Sequence, residues 1–185
     1  MDHYATLGIP RRLVVGEEEL REAYETRRRA VHPDAGGEAE AFRNVQESFA
    51  VLQRPGRRLR HWLELETGGF EARGEAPGVV MDVFPDVGAM LARLGETRRK
   101  KTEARSALAR SMAEREGVAA LAGIEALQER LQGIREGFIS RFAEFEAAGA
   151  EQCGTEAAAA ARGLAFIEKW DGELREAAFA LVGGG

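Results

Sequence analysis

The side chains best suited to nucleophilic, metal or proton-transfer chemistry are few here: three histidines and one cysteine in 185 residues. His3, His32 and His61 stand too far apart in the chain to make a local ligand set. No HExxH pair and no GxxxxGK[ST] phosphate cradle occurs. Cys153 alone cannot form an intramolecular disulfide or a thiolate-rich metal site. No serine or cysteine nucleophile has an identifiable base. Carboxylates are plentiful, but on amphipathic helices they read as solvated faces. The expectation is a protein that is not an enzyme and holds no cofactor or metal. One constellation stands apart, His32-Pro33-Asp34. A proline stiffens a loop and projects its neighbours, and an exposed aspartate can accept a bidentate, charge-assisted bond from an arginine on another protein.

The elements around the tripeptide are helical. A short helix covers about residues 4–8. A second opens at Glu17-Glu18-Glu19, acids suited to a first turn, and carries Leu20, Ala23, Tyr24, Arg27 and Val31 on one face. Pro33 stops it. A third follows the loop, with Phe42, Val45, Phe49 and Leu52 spaced by three and four. A fourth runs from Arg57 to Glu66, behind Pro55. The Gly- and Pro-rich stretch after Gly68 reads as a linker. Three long helices come next. The first starts behind Pro85 with Asp86 as N-cap and ends at Gly117. The second carries the stripe Leu121 to Phe145 and ends between Gly149 and Gly154. The third starts near Thr155, with Leu164, Ile167, Trp170, Leu174 and Leu181 on one side. The expected fold class is all-α, a helical hairpin domain at 1–67, a linker at 68–85, a three-helix bundle at 86–182 and a frayed tail at 183–185.

Composition narrows the partners. The chain is 44% apolar and 31% charged, with a formal net charge of −5. Basic clusters at Arg27–Arg29, Arg57–Arg60 and Arg98–Lys101 lack interleaved aromatics, so no nucleic-acid partner is expected. No apolar run approaches the roughly 18 residues of a membrane span, and the start lacks the pattern of a secretory signal. A cytoplasmic protein without a membrane partner is expected. Residues 86–116 carry eight cations and five anions, whereas 117–185 carry six and eleven. That imbalance favours packing of the first bundle helix on the other two.

These residues resemble a known module. His32-Pro33-Asp34 after a helix bearing Leu20, Ala23 and Tyr24, the segment FRNVQESFAVLQRPGRR (Phe42 to Arg58) and the opening DHYATLG (Asp2 to Gly8) are similar to a J-domain, which engages DnaK-type ATP-dependent chaperones. The resemblance implies chaperone-binding roles for His32, Pro33 and Asp34, with Arg21, Tyr24 and Arg28 on the exposed face of the second helix. Glu25 and Thr26 occupy positions that are often basic in J-domains, Arg27 one that is usually Leu, and Ala35 one that is often Lys. A weaker or more selective chaperone contact is expected from them.

The remainder resembles the HscB family, co-chaperones of iron–sulfur cluster assembly. The extended fourth helix PGRRLRHWLELETG (Pro55 to Gly68), MLARL (Met90 to Leu94) and RGLAFIEKW (Arg162 to Trp170) carry that likeness. It implies a DnaK/HscA-type chaperone and an IscU-like scaffold as partners, with Met90, Leu91, Leu94 and Phe166 toward the client. Plain core packing is the competing reading of the three on the first bundle helix. The family follows them with glutamates; here Arg98, Arg99, Lys100 and Lys101 follow instead. The alternative is therefore a J-domain protein whose bundle binds a different client or self-associates. A monomer or weak homodimer is expected.

Overall fold

The computed structural model describes residues 1–32, 34, 37–69 and 74–183, so Pro33 lies outside the described residues. Among these, helices are the only regular elements: α1 His3–Leu7, α2 Glu17–Ala30, α3 Ala39–Leu52, α4 Pro55–Thr67, α5 Gly78–Met81, α6 Phe84–Glu103, α7 Ala107–Ile139, α8 Phe142–Ala148 and α9 Ala150–Gly183. The all-α class, with an N-terminal hairpin domain and a C-terminal helical bundle, is borne out. Two compact units form. One is Met1–Glu75 with Phe138–Leu164, the other Ala76–Gly137 with Ala165–Gly185.

In the first unit, local chemistry sets each helix end. Asp2 caps α1 by accepting from the backbone N–H of Tyr4 and Ala5 at 3.0 and 3.2 Å. Helix α2 has three glutamates in its first turn and three arginines in its last, matching both ends of the helix dipole. Pro55 begins α4, and Gly68 ends it in the left-handed region at φ 75°. Tyr4, Leu7, Leu20, Val45 and Leu52 are the buried centre of the hairpin. Each large aliphatic side chain there contributes about 2–3 kcal/mol. Arg27 takes the place of an apolar residue on this face without entering the core. It is exposed, and its guanidinium lies against Gly8, where a Cβ would sit 2.7 Å from Nη2. Gly8 has φ 73°, and that left-handed backbone is what favours glycine, since the exposed Arg27 tip can swing aside.

A second core in the same unit joins distant parts of the chain. Leu13, Leu59, Trp62 and Leu63 pack with Phe142, Phe145, Ala157 and Leu164. Residues 138–164 thus share a unit with the N-terminal domain, whereas the sequence reading assigns all of 86–182 to one bundle. Cys153 is buried in this core, where burial pushes its thiol pKa up. Arg58 is buried as well, donating to the carbonyl of Leu52 at 2.8 Å and so satisfying an orphan acceptor at the end of α3.

The second unit packs α6, α7 and α9. Asp86–Arg130 (2.5 Å) and Lys100–Glu116 (2.9 Å) set α6 antiparallel to α7. Arg135 pairs with Asp171 while Gly117 faces Leu181, so α7 runs antiparallel to α9. The buried stripes are Val87, Leu94 and Thr97 on α6, Ala120, Ile124, Leu127 and Leu131 on α7, and Ile167, Trp170, Leu174 and Leu181 on α9. Several expected ends differ. The first bundle helix stops at Glu103, and Gly117 lies inside α7, where a Cβ would sit 4.0 Å from Leu181 Cδ2. Gly117 is a buried position inside the helix, not a stop. Asp86 lies in the first turn of α6 and pairs with Arg130; it does not cap the helix. Gly154 lies within α9. The expected pairing of α6 cations with the acidic remainder is not what the bundle uses, since Asp86 is the anion of its pair and Lys100 binds Glu116 of the basic stretch itself.

Candidate functional site

The loop between α2 and α3 is built from both sides. The carbonyl of His32 accepts from the N–H of Gly37 at 3.0 Å. A Cβ on Gly37 would lie 2.2 Å from the carbonyl oxygen of Val31, so only glycine lets the chain close there. The His32 ring stands edge-on to Phe42 with centroids 5.2 Å apart, and its Nδ1 accepts from the Asp34 N–H at 3.2 Å. In the neutral ring this leaves Nε2–H as a donor for a partner. The Asp34 side chain is 91% exposed, with Oδ2 3.7 Å from His32 Nδ1. An exposed carboxylate on a pinned loop is a ready acceptor for a guanidinium. The roles of Phe42 and Gly37 were missed in sequence; the Gly36-Gly37 pair was the available signal.

Arg21, Tyr24 and Arg28 fall on one stripe of α2 at spacings of three and four. Tyr24 stacks on Phe49 at 4.3 Å, which fixes its ring against α3. Arg28 lies 6.0 Å from the Tyr24 centroid and pairs with Glu25 at 3.0 Å; Arg21 pairs with Glu17 at 2.8 Å. Both cations of the stripe thus already hold an acid. Exposed pairs are worth about 0.2–1 kcal/mol, so a partner can displace them at small cost.

The four candidates in the second unit fare differently. Leu94 is 1% exposed and belongs to the bundle core, so it offers no surface. Met90 is half-buried, its Cε over α7 where a Cβ on Gly123 would sit 2.7 Å away. Leu91 is half-buried. Phe166 is 39% exposed and packs on Trp170 at 5.7 Å, and Trp170 in turn meets Phe84 at 6.0 Å. Phe84, 53% exposed, was not singled out in sequence, although it immediately precedes the Pro85-Asp86 helix start. Arg98 and Arg99 are exposed and form no ion pair among the described residues. Lys100 binds Glu116 and Glu96, which raises its pKa, and Lys101 donates to the carbonyl of Leu181 at 3.2 Å. No group of three or more metal-ligating side chains gathers among the described residues. No helix there is long and apolar enough to cross a membrane.

Comparison with known proteins agrees with this geometry. Residues 2–61 match the DnaJ domain. Chaperone protein DnaJ 2 of Thermus thermophilus is 40% identical over 60 residues, which are 31% of this chain and 21% of that protein's length. Among solved structures, the chaperone HscB from Vibrio cholerae is similar with a TM-score of 0.59, over 95% of this chain and 96% of that one, at 17% identity. At that identity the likeness is one of fold.

Proposed function

We propose that this chain, a J-domain protein with the fold of HscB, is a co-chaperone that stimulates ATP hydrolysis by a DnaK/HscA-type chaperone and presents a client to it. The observation that carries this reading is the almost fully exposed Asp34 beside His32, which follows the helix bearing the Arg21–Tyr24–Arg28 stripe. Pro33 belongs to the same proposed surface. No reaction takes place on the chain itself: it acts by coupling two binding events. The client is an iron–sulfur cluster assembly scaffold of the IscU type, met through the surface that includes Leu91 and Phe166. A cluster needs several thiolates, and one buried cysteine cannot supply them, so any cluster stays with the client. Both partners are cytoplasmic in this reading, and the chain works as a monomer or weak homodimer.

Surface-immobilised chaperone in its ATP state should capture the wild-type protein and lose at least tenfold in affinity for Asp34→Asn. Equal capture of the two would remove the co-chaperone reading. Titration with a purified scaffold tests the client separately. A second reading, a different client or self-association of the bundle, is favoured by the burial of Leu94 and by the exposed Arg98 and Arg99.

A further inference from the structure

Along α6, Phe84, Gly88, Leu91, Gly95 and Arg98 follow one another at spacings of three and four, so they form a single stripe. At its start, Phe84 joins Trp170 and the exposed Phe166 in an aromatic cluster. In its middle, Gly88 and Gly95 carry no side chain and have open space at their Cβ positions, so nothing on the stripe stands above the half-buried Leu91 between them. At its far end, about 21 Å along the helix axis from Phe84, Arg98 and its neighbour Arg99 are exposed without acid partners among the described residues. The next two cations are spent internally, on Glu116, Glu96 and the Leu181 carbonyl.

We infer that this stripe receives an acidic protein segment, with an apolar anchor on the Phe84–Phe166 cluster and carboxylates on Arg98 and Arg99. The inference rests on the reading of this unit as the client-binding part and specifies the chemistry of the client. Charge complementarity sets the sign: a basic client surface would meet two unpaired guanidinium groups, a like-charge contact that is costly. A nucleic acid is disfavoured because the chain as a whole carries −5 and no aromatic residues are interleaved among the cations of residues 98–101. An extended segment of about six residues, or a helix of about four turns, spans the distance.

The test titrates the full chain with a synthetic 16-residue peptide that has Phe and Leu at one end and four Glu at the other, followed by fluorescence anisotropy. A second peptide carries Gln at the four Glu positions. The acidic peptide should bind about fivefold to tenfold more tightly than its Gln counterpart at low salt, from two exposed charge pairs. The advantage should vanish in the double variant Arg98→Glu, Arg99→Glu, whose folding is verified by its thermal melt. Phe84→Ser should weaken both peptides alike. Equal binding of the two peptides, no binding of either, or an undiminished preference in the double variant overturns the inference. So does an equally tight complex with a 16-residue oligothymidylate, which would reveal generic anion attraction. Chaperone binding by the wild-type protein is measured independently, so loss of the co-chaperone reading and loss of this one are separate results.

Discussion

His3, Ser48 and His61 form a buried polar joint between α1, α3 and α4. The backbone N–H of His3 donates to His61 Nε2 at 3.1 Å, and its Nδ1 bonds Ser48 Oγ at 3.0 Å, while Ser48 donates to the Asn44 carbonyl. The rings lie 4.4 Å apart. Burial lowers both histidine pKa values, and His3 lowers His61 further; Glu47, Asp2 and Glu64 oppose the shift at His3, Asp2 and Glu64 oppose it at His61, and the N-terminal amine reinforces both. A proton on His61 Nε2 would remove the acceptor that holds α1. With native values below the ordinary 6.5, the unfolded chain takes up protons first on acidification, so stability is full above pH 6.5 and falls below it. The urea midpoint is expected to drop between pH 7.5 and 5.5, and His61→Gln should flatten that slope; a midpoint independent of pH would refute the neutral joint. Legibility at this scale is uneven. The tripeptide could be recognised because its residue types are rare and adjacent. Leu94 and Phe84 could not be sorted, because both are apolar residues on α6, and only the packing of α7 and α9 decides that one is covered and the other exposed.

Glycines divide the helices into tight and open faces. Gly133 lies inside α7 with open space at its Cβ position, whereas Gly123 faces Met90 Cε. Gly133→Ala is expected to stabilise the protein by about 0.5–1 kcal/mol through helix propensity alone. Gly123→Ala must displace the Met90 methyl and should gain less, or lose. Urea unfolding of the two variants checks the order, and equal gains would contradict the α6–α7 packing described here. The same distinction explains where helix ends were legible. Glu17–Glu19, Pro55 and Gly68 act through local capping and dipole effects, which depend on neighbours in sequence. Gly117 and Gly154 look identical to stops in sequence, yet α7 and α9 continue through them.

For the whole molecule, the consequential fact is that residues 138–164 complete the core beneath the J-domain. Phe142 and Phe145, each 1% exposed, pack with Leu59, Trp62 and Leu63, and the Arg58 guanidinium lies 5.8 Å from the Phe142 ring. The Gly-rich segment after Gly68 reads as a domain boundary from composition, but the amphipathic stripe of a helix does not say which distant segment will cover it. Phe142→Ala is expected to cost about 3–5 kcal/mol. It should also raise amide hydrogen exchange across residues 1–67, far away in sequence; exchange confined to residues 138–164 would contradict a shared core.

The measurement that bears most directly on the central claim is the steady-state ATPase rate of a DnaK-type chaperone with and without this protein. Stimulation that saturates with added wild-type protein, and that falls to the unstimulated rate with His32→Gln at unchanged thermal stability, is the expected result. An unchanged rate with the wild-type protein, or equal stimulation by His32→Gln, would contradict it.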